Sequence, residues 1–183
     1  MMITLNLTEL SPTSLTISFR KRLTWFSAHC AGLTGSEAGR RQLLAAADVL
    51  AQLKRLVSED RSPAGHDASL ALLNLSGFAA AGAPLLAAPG PDTAELLLRR
   101  AVQTDSRLAD ACCMILSNLS RHPAGCRAVW QRLRDGAAEA DGPVTVERLV
   151  VALCQRGYNT AGCKLDYLGP LLSNLTQLPD ARR

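Results

Sequence analysis

Three pentapeptides decide the fold: Leu72-Leu73-Asn74-Leu75-Ser76, Leu116-Ser117-Asn118-Leu119-Ser120 and Leu172-Ser173-Asn174-Leu175-Thr176. A degenerate fourth copy, Cys30-Ala31-Gly32-Leu33-Thr34, precedes them with glycine in the asparagine position. The equivalent leucines 33, 75, 119 and 175 follow at intervals of 42, 44 and 56 residues. The first two intervals fall within the roughly 40–47 residues of armadillo and HEAT units, and the third leaves room for an insertion. The register runs on past the pentapeptides. Nine and ten residues after each Ser or Thr stand Leu43-Leu44, Leu85-Leu86 and Val129-Trp130. Three to seven residues after stand Glu37-Ala38-Gly39-Arg40-Arg41, Pro123-Ala124-Gly125-Cys126-Arg127 and Pro179-Asp180-Ala181-Arg182-Arg183. Pro123 and Pro179 suit the first turn of a new helix, where a missing N–H removes no bond.

These marks divide the chain into units of three helices. The first unit is read as helices at 37–45, 47–57 and 66–76, the second at 79–87, 93–102 and 107–119, the third at 123–133, 144–154 and 164–175. Breakers separate them, among them Ser62-Pro63-Ala64-Gly65 and Pro89-Gly90-Pro91. Each third helix is apolar nearly all round, which marks an inner element covered by its neighbours. The expected fold is all-α: an armadillo/HEAT-like right-handed superhelical solenoid of roughly three to four repeats. Residues 26–183 form the repeat domain, cut at the start of a further repeat, after a poorly matched segment 1–25 that is open to disorder. Arg20-Lys21-Arg22 reads as a solvated junction before the first helix.

Composition agrees with this reading. Hydrophobic residues at 48% and charged residues at 20% exclude a disordered chain, and aromatics at 4% disfavour an all-β fold. Twenty Lys and Arg against sixteen Asp and Glu leave +4, with the signs interspersed, so no nucleic-acid face is expected. The stretch between Asp67 and Asp92 carries no formal charge, yet Asn74, Gly82, Pro84 and Pro89 interrupt it, which favours a buried helix and a short second helix over a membrane span. The amino terminus lacks the unbroken apolar run of a signal peptide. The six cysteines, Cys30, Cys112, Cys113, Cys126, Cys154 and Cys163, show no C-x-x-C and are read as reduced and mostly buried, and three histidines make a zinc site improbable.

The asparagines are the chemically informative positions. A buried primary amide without partners costs about 1–3 kcal/mol, so Asn74, Asn118 and Asn174 each need a hydrogen bond. Two uses compete: fixing the stacking register against the adjacent repeat, or holding the backbone of an extended partner segment. The stacking use is preferred, because the chain has only Trp25 and Trp130 to accompany a peptide-binding ladder. Tyr158 and Asn159, after Gly157 in an irregular excursion, are a candidate exposed contact. Asp67, Asp110 and Asp166, near the starts of third helices, read as caps or dipole partners. No phosphate-loop motif occurs. Cys126, four residues after His122, is the least poor nucleophile, with no third orienting group. No catalytic residue, metal or cofactor is expected.

The run Val146-Glu147-Arg148-Leu149-Val150, Leu153-Cys154, Gly157-Tyr158-Asn159 and Leu165-Asp166-Tyr167-Leu168-Gly169-Pro170 through Gln177 resembles the core of the protein HGH homolog family, an armadillo-like family. Gly32-Leu33-Thr34-Gly35 and Gly39-Arg40-Arg41-Gln42-Leu43-Leu44 are similar to its first repeat. The likeness covers about Phe26 to Arg183 and corresponds to an amino-terminal portion. It implies a cytoplasmic, non-catalytic adaptor that helps translation elongation factor 2 fold together with the cytosolic chaperonin, with no nucleic acid or membrane partner. An armadillo-type carrier of linear peptides is the alternative, and a thiol-dependent enzyme centred on Cys126 the third reading. An uncapped carboxy-terminal end is expected to favour self-association.

Overall fold

The computed structural model describes residues 12–59, 62–135, 144–155, 162 and 166–182, with side chains from residue 20 onward. Among the described residues there are ten α-helices and no strands. They are α1 (Pro12–Leu33), α2 (Glu37–Ala45), α3 (Ala47–Ser58), α4 (Pro63–Ser76), α5 (Gly82–Ala87), α6 (Thr93–Val102), α7 (Ala109–Ser120), α8 (Pro123–Asp135), α9 (Val146–Cys154) and α10 (Leu168–Leu175), with 3-10 turns at Ala79–Ala81 and Pro179–Arg182. Side-chain caps set several starts. Ser36 Oγ accepts from the Gly39 N–H, Ser62 Oγ from Gly65, Asp92 Oδ1 from Glu95 and Thr145 Oγ1 from Arg148, each satisfying one of the four orphan donors of a helix start.

Helices of the same rank contact one another from unit to unit. The first helices α2, α5 and α8 form one row, the second helices α3, α6 and α9 another, and α1, α4, α7 and α10 a third. Within each unit the second helix leans on the third, as α3 on α4 and α6 on α7. One continuous apolar interior results, holding Leu50, Leu53, Leu56, Leu75, Leu97, Leu98, Leu116 and Leu119 at 1% exposure or less. At about 1.5–3 kcal/mol for each fully buried leucine, this interior is the main favourable term of folding.

Several boundaries differ from the sequence reading. α1 begins at Pro12 and runs through Arg20-Lys21-Arg22, so the expected junction is helical and the helix crosses the division drawn at residue 25. α4 starts at Pro63, because Ser62 caps it and proline fits the first position. None of Asp67, Asp110 and Asp166 is a cap residue, since Ser62 caps α4 and α7 and α10 start without a side-chain cap, but Asp110 lies in the first turn of α7, where a carboxylate complements the helix dipole. No single helix among the described residues is long and apolar enough to cross a membrane; α4 and residues Ala79–Ala87 reach that length only together, with a bend of 109° between them.

A glycine–alanine alternation explains one irregularity. Five residues after each Ser or Thr stand Gly39, Ala81, Gly125 and Ala181. A Cβ at Gly39 would collide with the carbonyl oxygen of Leu33, and one at Gly125 with that of Leu119. Glycine therefore lets α2 and α8 start as regular helix directly against the end of the preceding helix. Where alanine occupies the position the chain makes the two 3-10 turns instead, with Ala81 fully buried.

The second-helix row holds a feature the sequence concealed. Lys54 on α3 is 1% exposed, and its Nζ donates to the Ala88 carbonyl at 2.6 Å and to Thr93 Oγ1 at 3.4 Å. Thr93 Oγ1 in turn donates to the Leu85 carbonyl at 2.6 Å. Asp92, beside this cluster, pairs with Arg132 of α8 at 2.9 Å. Burial pushes the Lys54 ammonium below its ordinary range, with Asp92 opposing the shift. Burial would raise the Asp92 carboxyl, but the Glu95 N–H, Arg132 and Lys54 together hold it below the usual carboxylate range. Three successive units are thus tied through the 88–93 loop, where Gly90 at φ +96 takes a conformation that suits glycine.

Candidate functional site

The third-helix row carries the three amides, and their bonding follows one rule. Asn74 Nδ2 donates to Thr34 Oγ1 at 2.8 Å, Asn118 Nδ2 to Ser76 Oγ at 3.0 Å, and Asn174 Nδ2 to Ser120 Oγ at 2.9 Å. Each asparagine therefore reaches the hydroxyl that closes the preceding pentapeptide. Those hydroxyls are donors as well: Thr34, Ser76, Ser120 and Thr176 each bond the carbonyl three residues back, at 2.6, 2.7, 2.9 and 2.7 Å. Only a group that both accepts and donates can sit at this joint, which is why the fifth position is Ser or Thr. Asn174 Nδ2 also reaches the Ser117 carbonyl at 3.2 Å.

Placement corrects the expectation of buried amides. Asn74 is exposed and Asn118 and Asn174 are half-buried, because the third helices are open along one stripe: Leu70 of α4 is 37% exposed and Met114 of α7 half-buried. The amides line that stripe. Asn74 and Asn118 each spend one Nδ2 bond on the neighbouring unit and Asn174 spends two.

We expect Asn118→Ala and Ser76→Ala each to lower stability by about 1 kcal/mol, the usual net value of a hydrogen bond. The double variant should cost less than the sum of the two, and urea unfolding of the four proteins measures the difference. Strict additivity would mean that the bond contributes nothing.

The two tryptophans differ. Trp130 on α8 packs against the core. Trp25 on α1 is 70% exposed and stacked on His29, with ring centroids 5.2 Å apart and planes 7° from parallel. It stands seven residues before Gly32, as Tyr167, 40% exposed, stands seven before Asn174, so the open stripe has an aromatic ring at each end. The sequence pattern contained this pairing, but exposure alone gives it meaning. Tyr158 and Asn159 lie outside the described residues.

The Cys126 reading is not supported by its surroundings. The thiol is 4% exposed and approaches the Asn174 carbonyl at 3.5 Å. Burial pushes its pKa up, with Arg127 opposing, so the thiol rather than the reactive thiolate is favoured. Among the described residues no group of three or more His, Cys, Asp and Glu could hold a metal ion.

Comparison with known proteins adds the lineage. Residues 100–183 match the family model described as a domain of unknown function, DUF383. The chain is 39% identical over 154 residues to Protein HGH1 homolog of Mus musculus and 41% identical over 154 residues to that of Homo sapiens, in each case 84% of this chain and 38% of the relative. It is 38% identical over 151 residues to the Danio rerio protein, 82% of this chain and 38% of that one. No solved structure matches. The chain thus spans less than half the length of these relatives. With 31–41% identity to eight HGH1 homologs over 82–84% of its own length, the chain is similar to the amino-terminal part of that family.

Proposed function

We propose that the chain is a non-catalytic, armadillo/HEAT-like adaptor whose third-helix row forms the inner surface of a right-handed solenoid and holds a protein client. One observation carries this reading. The open stripe runs across α1, α4, α7 and α10, offers apolar side chains and part-exposed amides along its length, and ends in the exposed rings of Trp25 and Tyr167. Repeat proteins bind through such extended faces rather than enclosed pockets. The stacking bonds use the Nδ2 side of each amide, so the side-chain carbonyl remains as an acceptor toward the backbone N–H groups of an extended segment.

The family resemblance supplies the client for the test: translation elongation factor 2, handed on to the cytosolic chaperonin, in the cytoplasm. Trp25 is the strongest anchor on the face, since exposed aromatic side chains dominate binding energy when covered. Binding of chemically denatured elongation factor 2, followed by anisotropy during dilution from denaturant, should weaken at least about tenfold in Trp25→Ala. The melting temperature of the variant should stay unchanged, because the ring covers little of the core. Retention of neither elongation factor 2 nor chaperonin subunits by the immobilised chain would overturn the assignment.

A further inference from the structure

A cleft of about 500 Å³ lies between α2 and the start of the second unit, lined by Arg41, Leu44, Ala45, Phe78, Ala80 and Pro84. Its origin is the alanine at position 81. Because Ala81 bears a Cβ where α2 and α8 have glycine, the second unit opens with a 3-10 turn and the short helix α5 in place of a full first helix. A smaller cleft of about 310 Å³, lined in part by Arg121, Cys126 and Leu178, recurs beside the other alanine turn, at Pro179–Arg182. Phe78 and Leu178 both stand two residues after the closing Ser or Thr, so the two clefts share one register.

The lining of the larger cleft is apolar apart from Arg41, and Arg40 stands next to it against the Phe78 ring. Arg40 sends one Nη1 bond to the Thr34 carbonyl at 2.8 Å and places its guanidinium 5.6 Å from the Phe78 ring centroid. Both contacts are with neutral groups, and Arg40 has no carboxylate partner among the described residues. Arg41, with 70% of its side chain exposed, shares its charge with Glu37 at the solvent edge. A cation held over an aromatic ring and left without a counter-ion invites an anionic partner. Leu44, Phe78 and Pro84 are half-buried and offer the apolar contact beneath it.

We infer that this cleft is a docking socket for an acidic linear segment of another protein, which places one bulky apolar side chain against Phe78, Leu44 and Pro84 and a neighbouring carboxylate on Arg40. The socket is lined by residues of α2 and of the 78–84 segment and by none of the three asparagines, so it stands whether or not the amide-lined stripe binds a client. Occupancy here is specific to the units that carry alanine in place of glycine.

The probe is a fluorescein-labelled peptide, Glu-Asp-Leu-Phe-Asp-Glu with blocked ends, titrated at low salt and read by anisotropy. A dissociation constant on the order of 10–100 µM is expected for so small a contact. Two variants test the site. Ala80→Glu sets a carboxylate on the exposed rim without touching the core and should weaken binding at least about tenfold; Phe78→Ala should do the same. A peptide with Gly-Gly in place of Leu-Phe should lose binding, and one with Lys in place of the acids should bind more weakly than the parent. Equal binding of the Gly-Gly peptide, insensitivity to Ala80→Glu in a variant with unaltered circular dichroism, or absence of binding by the parent peptide each overturns the assignment.

Discussion

Gly125→Ala is expected to lower the melting temperature by about 5–10 °C, an effect of the opposite sign to what helix propensity alone dictates. Alanine is the better helix former by about 1 kcal/mol in a helix interior. At this site, however, the new Cβ would meet the carbonyl oxygen of Leu119 and lie 2.8 Å from its carbonyl carbon, both backbone atoms that no side-chain rotation can move. Relief requires that α8 shift away from the end of α7 or that its first turn tighten. Overpacking of this kind costs about 1–3 kcal/mol, occasionally more, and for a chain of this size each kcal/mol moves the midpoint by about 2–4 °C. Gly82→Ala is the internal control. Gly82 stands in α5 with nothing within 4 Å of its Cβ position and a helical φ of −54°, so the same substitution should be neutral or slightly stabilising there. Scanning calorimetry of the two variants decides the matter: equal shifts would show that close approach to Leu119 is not what selects glycine. A structure of Gly125→Ala should further show the first turn of α8 converted to the 3-10 form seen at Ala79–Ala81 and Pro179–Arg182.

That alternation shows where sequence reasoning succeeds and where it stops. The pentapeptide register placed nine helices near their observed bounds, because amphipathic spacing, Pro123 and the Pro89-Gly90-Pro91 break are local signals, whereas Pro63 was read as a breaker and in fact opens α4. The glycine and alanine five residues after each Ser or Thr were equally visible. Their consequence was not, since it depends on how near one helix end comes to the next helix start. The asparagines were legible as positions and misread in burial. An apolar run such as that of α4 implies a helix buried all round, whereas Leu70 and Asn74 in fact face outward along an open stripe. The hydroxyl acceptors Thr34, Ser76 and Ser120 closed each repeated motif in plain view. Nothing in a single unit says that its closing hydroxyl will serve the asparagine 40, 42 or 54 residues downstream. Long-range pairing of this sort is legible only once the units are stacked.

Lys54 was the least legible residue of all, and its replacement carries the other large expectation. In the run Leu53-Lys54-Arg55-Leu56 it reads as one of two solvated cations, and Arg55 does face solvent. Lys54 instead enters the interior, because the 88–93 loop of the next unit folds over it and supplies the Ala88 carbonyl and the Thr93 hydroxyl. Lys54→Ala removes three methylenes from a fully buried site, about 0.8 kcal/mol each before any cavity term. It also leaves the Ala88 carbonyl without its donor, for about 1–3 kcal/mol more. The relief of a desolvated ammonium offsets part of this, so a net loss of about 3–4 kcal/mol is expected from urea unfolding. Lys54→Met keeps most of the volume and should lose only about 1–2 kcal/mol, which separates the packing contribution from the charge. The pH dependence supplies the sign. Because the folded-state pKa of Lys54 is depressed, there is a window, from that value up to the unfolded value of about 10.4, in which the unfolded chain binds the proton and the folded chain does not. Within it, raising the pH favours the folded state, and this gain should vanish in Lys54→Met. A Lys54→Ala variant as stable as the parent, or a Lys54→Met variant that keeps the full alkaline gain, would mean that this ammonium does not anchor the 88–93 loop.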